Sequence, residues 1–365
     1  MRRPIAFLLL LSLVAGCTSA AAGTPTSTPT ASASASSSAS GATSTLVDIG
    51  AGLDGPPGLM ATVYATGLAN VSAFAFDPEG RLWAATAAYD DGGDDAVYLI
   101  TAAGAITPVK VIPGLHTPLG LVWSGDTLYV ASSGRVDAYS GLADGAFAQH
   151  RTVLALPAGV GEVNGLVMSR GRRLVLGVSA PCDACTTTTQ DAAAVISFLP
   201  DGSDVQVMAS GIRAPVGLAY YPGTDDLFVS MNQRDDRGDA TPGDWLAVVR
   251  SGQDWGFPDC YGQGGSVCDG APAPVAVLDP HAAVSGVAIV TDGLGSSVTS
   301  SALVAEWATG KVLRVALTGE SSGYTGVVGP FLTGLTKPVP VATAPDGAVL
   351  VGDWGTGTVY RIAAG

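Results

Sequence analysis

A three-residue strand core recurs six times along the chain: "LWA" at Leu82, "LYV" at Leu128, "LVL" at Leu174, "LFV" at Leu227, "LVA" at Leu303 and "VLV" at Val349. Successive spacings are 46, 46, 53, 76 and 46 residues. A period in the mid-forties with several short strands per unit predicts a β-propeller in which each unit is one four-stranded blade. The order within the units is similar. A run such as "VKVIPGL" or "VQVMASGI" comes first, an apolar strand such as "GLVW" or "GLAYY" follows, and a turn such as "DPEG" or "APDG" leads to the marker. A strand such as "RVDAYS" or "TVYRI" comes last. No long 3.6-residue apolar period interrupts this pattern, and 49 glycines and 23 prolines punctuate the short Val-, Leu- and aromatic-rich runs. The expected class is therefore all-β. The sixth unit ends one strand short at "TVYRI", while "ATVYATGL" near residue 61 has no unit before it. Pairing these two closes the ring and removes the open edges of the sheet.

In a propeller the innermost strand of each blade starts at one face, around the central channel, so the residues just before it form a ring. Counting four residues back from the glycine of each Gly-Leu pair gives Arg213 before Gly217, His116 before Gly120, and Gly161, beside Glu162, before Gly165. Asn70, His281 and Lys337 are the neighbouring positions in the first, fifth and sixth units. The expected funnel is lined by Arg, His, Glu, Asn and Lys. Such side chains either bind a small polar ligand or cap strand ends and hold channel water.

The N-terminus reads as an export signal. Residues 1–16 carry two arginines and an apolar core too short to span a bilayer comfortably, and they end at "VAGC", a lipobox that makes Cys17 the lipidated first residue of the mature chain. Residues 17–45 are almost wholly Ala, Ser, Thr, Gly and Pro and read as a disordered tether. The propeller is expected over 46–365. The chain is thus expected on the outside of a bacterial envelope membrane, held by lipid alone, and monomeric. A formal charge of −14, more negative still once Arg2 and Arg3 leave with the signal, argues against nucleic acid as a partner. Four cysteines remain after Cys17: Cys182 and Cys185 in "PCDAC", and Cys260 and Cys268 in "DCYGQGGSVC". Export favours two local disulfides, with a tetrathiolate zinc site as the competing arrangement.

The segment "GIRAPVGLAYYPGTDDLFVSMNQRDDRGDATPGDWLAVVRSGQDWGFPDCY" resembles the fourth-blade signature of the glucose/sorbosone dehydrogenase family. "VLGVSAPCDAC" is similar to that family's paired-cysteine strand, and "KPVPVATAPDGAVLVGDWGTGTVYRI" to its last blade. The resemblance covers roughly residues 59 to 362. It implies a six-bladed propeller that oxidises aldoses or similar polyols with pyrroloquinoline quinone (PQQ) and Ca²⁺ and passes the electrons to a further acceptor. By the same resemblance Arg213 matches a cofactor-binding arginine, and the ring positions Lys337, Asn70 and His281 are the further cofactor-binding candidates. Asp235, Asp236 and Asp239 in "NQRDDRGD" supply hard oxygen ligands for Ca²⁺. Two positions depart from the pattern: Ala214 replaces an asparagine, and Gly161 stands where the family has its catalytic histidine. Glu162 and His116 are the substitute bases the ring offers. Two alternatives stand beside this reading. One is a non-catalytic propeller that binds a sugar, peptide or envelope partner, and the other is a Ca²⁺-dependent lactonase-type hydrolase using Asn70, Glu162 and Asn164.

Overall fold

Each marker strand is the second of its blade, covered on both faces, and is buried along its length except for the first residue in blade 2. Double burial makes it an unbroken apolar run, whereas an outermost strand such as Val109–Leu115 is mostly exposed and buries only Ile112 and Leu115 fully. The computed structural model describes residues 45–365 apart from 91, 102, 103, 105–107, 297 and 322. The expected signal, Cys17 and the tether up to Ser44 lie outside the described residues.

Six blades form the fold. From the channel outwards, blade 1 is Val71–Phe76, Leu82–Thr86, Asp95–Ile100 and Val109–Leu115, and blade 2 is Gly120–Ser124, Thr127–Ser132, Arg135–Ala143 and Ala146–Ala155. Blade 3 runs Val163–Met168, Leu174–Val178, Ala194–Phe198 and Gln206–Ser210, with a fifth strand, Gln253–Asp254, added in parallel on its outside. Blade 4 is Pro215–Tyr220, Leu227–Met231, Trp245–Val249 and a short Ala276–Val277. Blade 5 is Val284–Val290, Ser301–Glu306, Lys311–Glu320 and Gly323–Leu332. Blade 6 is Pro338–Thr343, Val349–Asp353, Thr358–Ala364 and, as its outermost strand, Leu59–Ala65 from the other end of the chain. The ring closes as expected. The surplus in the two long intervals is loop between blade strands and carries both cysteine pairs, which form the disulfides Cys182–Cys185 and Cys260–Cys268. A hairpin that the repeat does not announce, Val47–Gly50 with Leu53–Gly55, precedes the ring and bonds Thr333 through Asp54. Among the described residues no helix is long and apolar enough to cross a membrane.

Six apolar clusters hold the ring together, and each straddles one blade-to-blade interface. Nearest the axis the interfaces are tighter than side chains allow. A Cβ on Gly120, Gly165, Gly217 or Gly286 would lie 2.6, 2.6, 2.3 or 2.5 Å from a backbone oxygen of the next inner strand, on Asn164, Val216, Ser285 and Val339 respectively. The glycine of the Gly-Leu pair in blades 2, 3 and 4, and of Gly286–Val287 in blade 5, is therefore a close-approach residue that sets the channel radius.

Candidate functional site

Each inner strand starts, and each marker strand ends, at one face of the ring. There a mouth cavity of about 710 Å³, lined by blades 3, 4 and 5, joins an axial channel of about 820 Å³. Glu162, Asn232, Ala283 and Trp307 line both spaces. In five of the six blades the pairing of inner and marker strand is irregular at this end, as between Val163 and Leu166 or Pro215 and Leu218. Such bulges re-aim side chains towards the axis.

Arg213 lies in the mouth as expected, and its guanidinium is engaged. Nη2 is 2.8 Å from Asp183 Oδ1, Nε donates to the Asp183 carbonyl at 3.1 Å, and Nη1 donates to the Asn232 carbonyl at 3.2 Å. Asp183 sits inside the Cys182–Cys185 loop of blade 3, and its carboxylate also receives the backbone N–H groups of Asp235 and Asp236. Glu162 faces the cavity from the start of blade 3. Crowding by the concave wall raises its pKa above the usual carboxylate value, the Arg213 charge opposes that, and cavity solvent screens both effects.

His281 also lines the mouth. Its Nδ1 is 2.6 Å from Asp235 Oδ1 and its Nε2 is 3.1 Å from the Gly238 carbonyl, contacts that hold the imidazole above its ordinary pKa and suit a doubly protonated ring. Lys337 places Nζ 4.1 Å from the centre of the Trp307 ring and 5.4 Å from that of Trp354, so its aromatic partners line the channel in its stead. His116 is exposed and lines neither space, and Asn70, half-buried, lines neither as well, its backbone bonded to Trp354 and Ala87. The set Asn70, Glu162 and Asn164 is accordingly not assembled around one cavity.

The acidic loop does not gather a coordination shell. Asp235 pairs with His281, and Asp236 takes both Nε and Nη2 of Arg234 at 2.5 and 2.7 Å. Asp239 lies in an exposed 3₁₀ turn, Gly238–Ala240. Among the described residues no group of three His, Cys, Asp or Glu side chains is placed to hold a metal ion.

Several mouth residues escape the count made from inner strands. Asn232, Trp307 and Trp354 follow the ends of marker strands by one residue, and counting four or five residues onward from each marker finds them. Asn232 and Asn164 each have a buried Oδ1 that no described protein group donates to. Asp244 is 2% exposed and lines the mouth, where burial lifts its pKa to about 6 although Gln233 and Val284 both donate backbone N–H bonds to it. Gly161 has no space for a side chain: a Cβ there would lie 2.1 Å from the Ala180 carbonyl oxygen.

The described chain is similar to several solved structures. The apo form of the soluble aldose sugar dehydrogenase from Escherichia coli matches with 18% identity and a TM-score of 0.67, over 84% of this chain and 100% of that one. The PQQ-bound aldose sugar dehydrogenase from Streptomyces coelicolor matches with 19% identity and a TM-score of 0.66, over 85% and 99%. The holo form of the pyranose dehydrogenase PQQ domain from Coprinopsis cinerea matches with 17% identity and a TM-score of 0.70, over 85% and 97%. No family model matches the chain, and no curated protein does. At these identities the likeness establishes a sugar-dehydrogenase-like fold, and function has to be argued from the mouth itself.

Proposed function

We propose that the protein is an exported, lipid-anchored oxidoreductase of the sugar-dehydrogenase type that acts on an aldose or similar polyol at the channel mouth. The observation that carries the substrate class is the pair of amide side chains on Asn164 and Asn232, whose Oδ1 atoms have no donor among the described residues, on the walls that Glu162 also lines. Sugar hydroxyls are donors that satisfy such atoms once the amide side chains turn towards the cavity, and an unmet buried acceptor, at a cost of roughly 1–3 kcal/mol, favours that turn. A Glu162 carboxylate oxygen is the acceptor for the proton of a bound hydroxyl, and its upward-shifted pKa makes it a better base than an ordinary carboxylate.

The residues fit one carboxylate of PQQ. Arg213 and the N–H groups of Asp235 and Asp236 already hold such a group in Asp183. Bound there, the quinone supplies a two-electron acceptor for hydride from the sugar carbon. The residues do not fit Ca²⁺ at Asp235, Asp236 and Asp239, whose side chains are paired or apart, so no step is assigned to that ion. The competing reading, a polyol-binding propeller without turnover, is favoured by Gly161, where the local backbone leaves no room for the expected histidine.

Calorimetric titration with PQQ, with and without Ca²⁺, followed by dye-linked oxidation of a panel of aldoses, tests the proposal. Binding and turnover support it. Absence of PQQ binding up to millimolar concentration overturns it, while sugar binding alone establishes the competing reading.

A further inference from the structure

We propose that Arg213 and the backbone N–H groups of Asp235 and Asp236 form a carboxylate-binding site whose resident occupant is the protein's own Asp183, and that a ligand carboxylate enters the mouth by exchanging with it. The inference deepens the oxidoreductase reading by giving its ligand an obligatory carboxylate, yet it concerns binding and stands or falls without turnover.

Four donor contacts converge on one carboxylate. Asp183 Oδ1 is 2.8 Å from Arg213 Nη2 and 3.0 Å from the Asp235 nitrogen, and Oδ2 is 3.1 and 2.8 Å from the nitrogens of Asp235 and Asp236. Two successive amides pointing at the same anion, completed by a guanidinium, are the elements of an anion receptor. The nearby acids do not cancel it, because Asp235 is turned towards His281 and Asp236 towards Arg234. Donors and acceptor belong to different parts of the ring: Arg213 and the amides come from blade 4, whereas Asp183 comes from the blade 3 loop. The receptor's donors therefore belong to other elements than the carboxylate filling it, and the backbone carbonyl of Asp183, which also accepts from Arg213 Nε, remains in place when the side chain leaves.

The occupant is built to be displaceable. Its side chain is 36% exposed and lines the open mouth beside Pro181 and Cys182, so its way out leads into solvent. The Cys182–Cys185 disulfide closes a ring around Asp183 and keeps the carboxylate near the receptor when it detaches. A tethered group of this kind acts at an effective concentration on the order of millimolar or above, so free carboxylates compete poorly until they offer further contacts in the mouth. Selectivity follows: simple anions stay out, and a ligand that combines a carboxylate with hydroxyl donors for Asn232 and Asn164 gets in. Sugar acids and a quinone carboxylate share that carboxylate chemistry.

Wild type, Asp183→Asn and Asp183→Ala are titrated calorimetrically with gluconate, glucose and PQQ, and their melting temperatures are followed in formate against chloride at equal ionic strength. The expected result is gluconate or PQQ binding to Asp183→Ala at least about tenfold tighter than to wild type, with glucose affinity unchanged. Formate should raise the melting temperature of Asp183→Ala but not of wild type, and adding Arg213→Ala should abolish both gains. The formate arm needs only a folded fraction, so a weakly stable variant still reports. A gain for gluconate alone assigns the site to a sugar acid and removes the cofactor reading, while a gain for PQQ assigns it to the quinone. Equal anion affinity in wild type and both Asp183 variants, together with no response to formate, overturns the proposal.

Discussion

Gly161 and Glu162 differ by one residue and by everything that matters at the mouth. A side chain on Gly161 is driven into the Ala180 carbonyl, whereas Glu162 opens into the cavity. Gly161→His is therefore expected to lose about 1–3 kcal/mol through forced backbone movement and to gain no oxidation, which urea melts and dye-linked assays check together. Glu162→Gln is expected to lower kcat by about 10²- to 10⁴-fold, the usual worth of a general base, with KM little changed. Counting back from Gly165 reaches Gly161, which does line the mouth as Arg213 does; what the count cannot show is that the Ala180 carbonyl already fills the space a side chain there would need. Arg213 was legible from its spacing. Its partner Asp183 was not, since the two meet across a blade boundary. Asp244 offers a pH test. Its pKa, raised to about 6, means the folded state favours its protonated form. Its contribution is full below the unfolded value of about 3.9 and is lost as pH rises to about 6, some 2–3 kcal/mol in all. Acids with lowered values, such as Asp236 and Asp346, slope the other way, so the informative quantity is wild type minus Asp244→Asn. That difference in melting temperature should fall between pH 4 and 6.5. A flat difference would remove the assigned shift.

At the scale of strands, the readable features are those that serve burial. Marker strands announce themselves because both faces are covered, and Gly-Leu pairs because adjacent inner strands leave no space for a Cβ. Gly217→Ala is expected to destabilise by more than the few tenths of a kcal/mol of a surface change, on the order of 2 kcal/mol, because the new methyl group meets the Ser285 carbonyl, the Ser230 hydroxyl and the Val287 nitrogen at once. Gly223→Ala, with nothing nearby but a positive φ of 77°, isolates the conformational part. A denaturation midpoint for Gly217→Ala no lower than that of Gly223→Ala would show that strand approach does not limit the interface. Features that serve connection were unreadable. Asp95 ties blade 1 to the start of blade 2 by accepting N–H bonds from Ala88 and Thr117, and Asp244 ties blade 4 to blade 5 through Gln233 and Val284. Each stands at the start of a blade's third strand, Asp95 as its first residue and Asp244 just before Trp245, where nothing in the sequence marks it as a tie between blades. Bulges at the mouth are equally silent in sequence, since they shift pairing without changing composition.

For the whole molecule, the ring depends on one strand brought from the other end of the described chain. Leu59–Ala65 pairs with Thr358–Ala364 from Leu59 opposite Ala364 to Ala65 opposite Val359. It contributes Leu59 and Ala61 to the cluster between blades 5 and 6, and Ala65 to the one between blades 6 and 1. Two interfaces therefore lose packing if it goes, and the last strand of blade 6 becomes a bare edge. Losing a large buried aliphatic side chain such as Leu59 alone costs about 2–5 kcal/mol, a sizeable share of the 5–15 kcal/mol that holds a typical domain. A chain beginning at Thr66 is expected to lose its cooperative melt and to associate through the exposed edge, seen as a concentration-dependent shift in size-exclusion chromatography. Supplying residues 57–67 as a separate peptide should restore a single melting transition, because the missing strand's backbone donors and acceptors return in register. A scrambled peptide of the same composition keeps the charge and apolar content but not the alternation of buried Leu59, Ala61 and Ala65 with exposed Met60, Thr62 and Val63. It should not restore the transition. If the shortened chain melts like the full one and stays monomeric, the ring is held by its six inner strands and the closing strand is ornamental. The mouth, lined by segments of blades 3, 4 and 5 that flank the strand ends, would then bind its ligand with unchanged affinity in both chains.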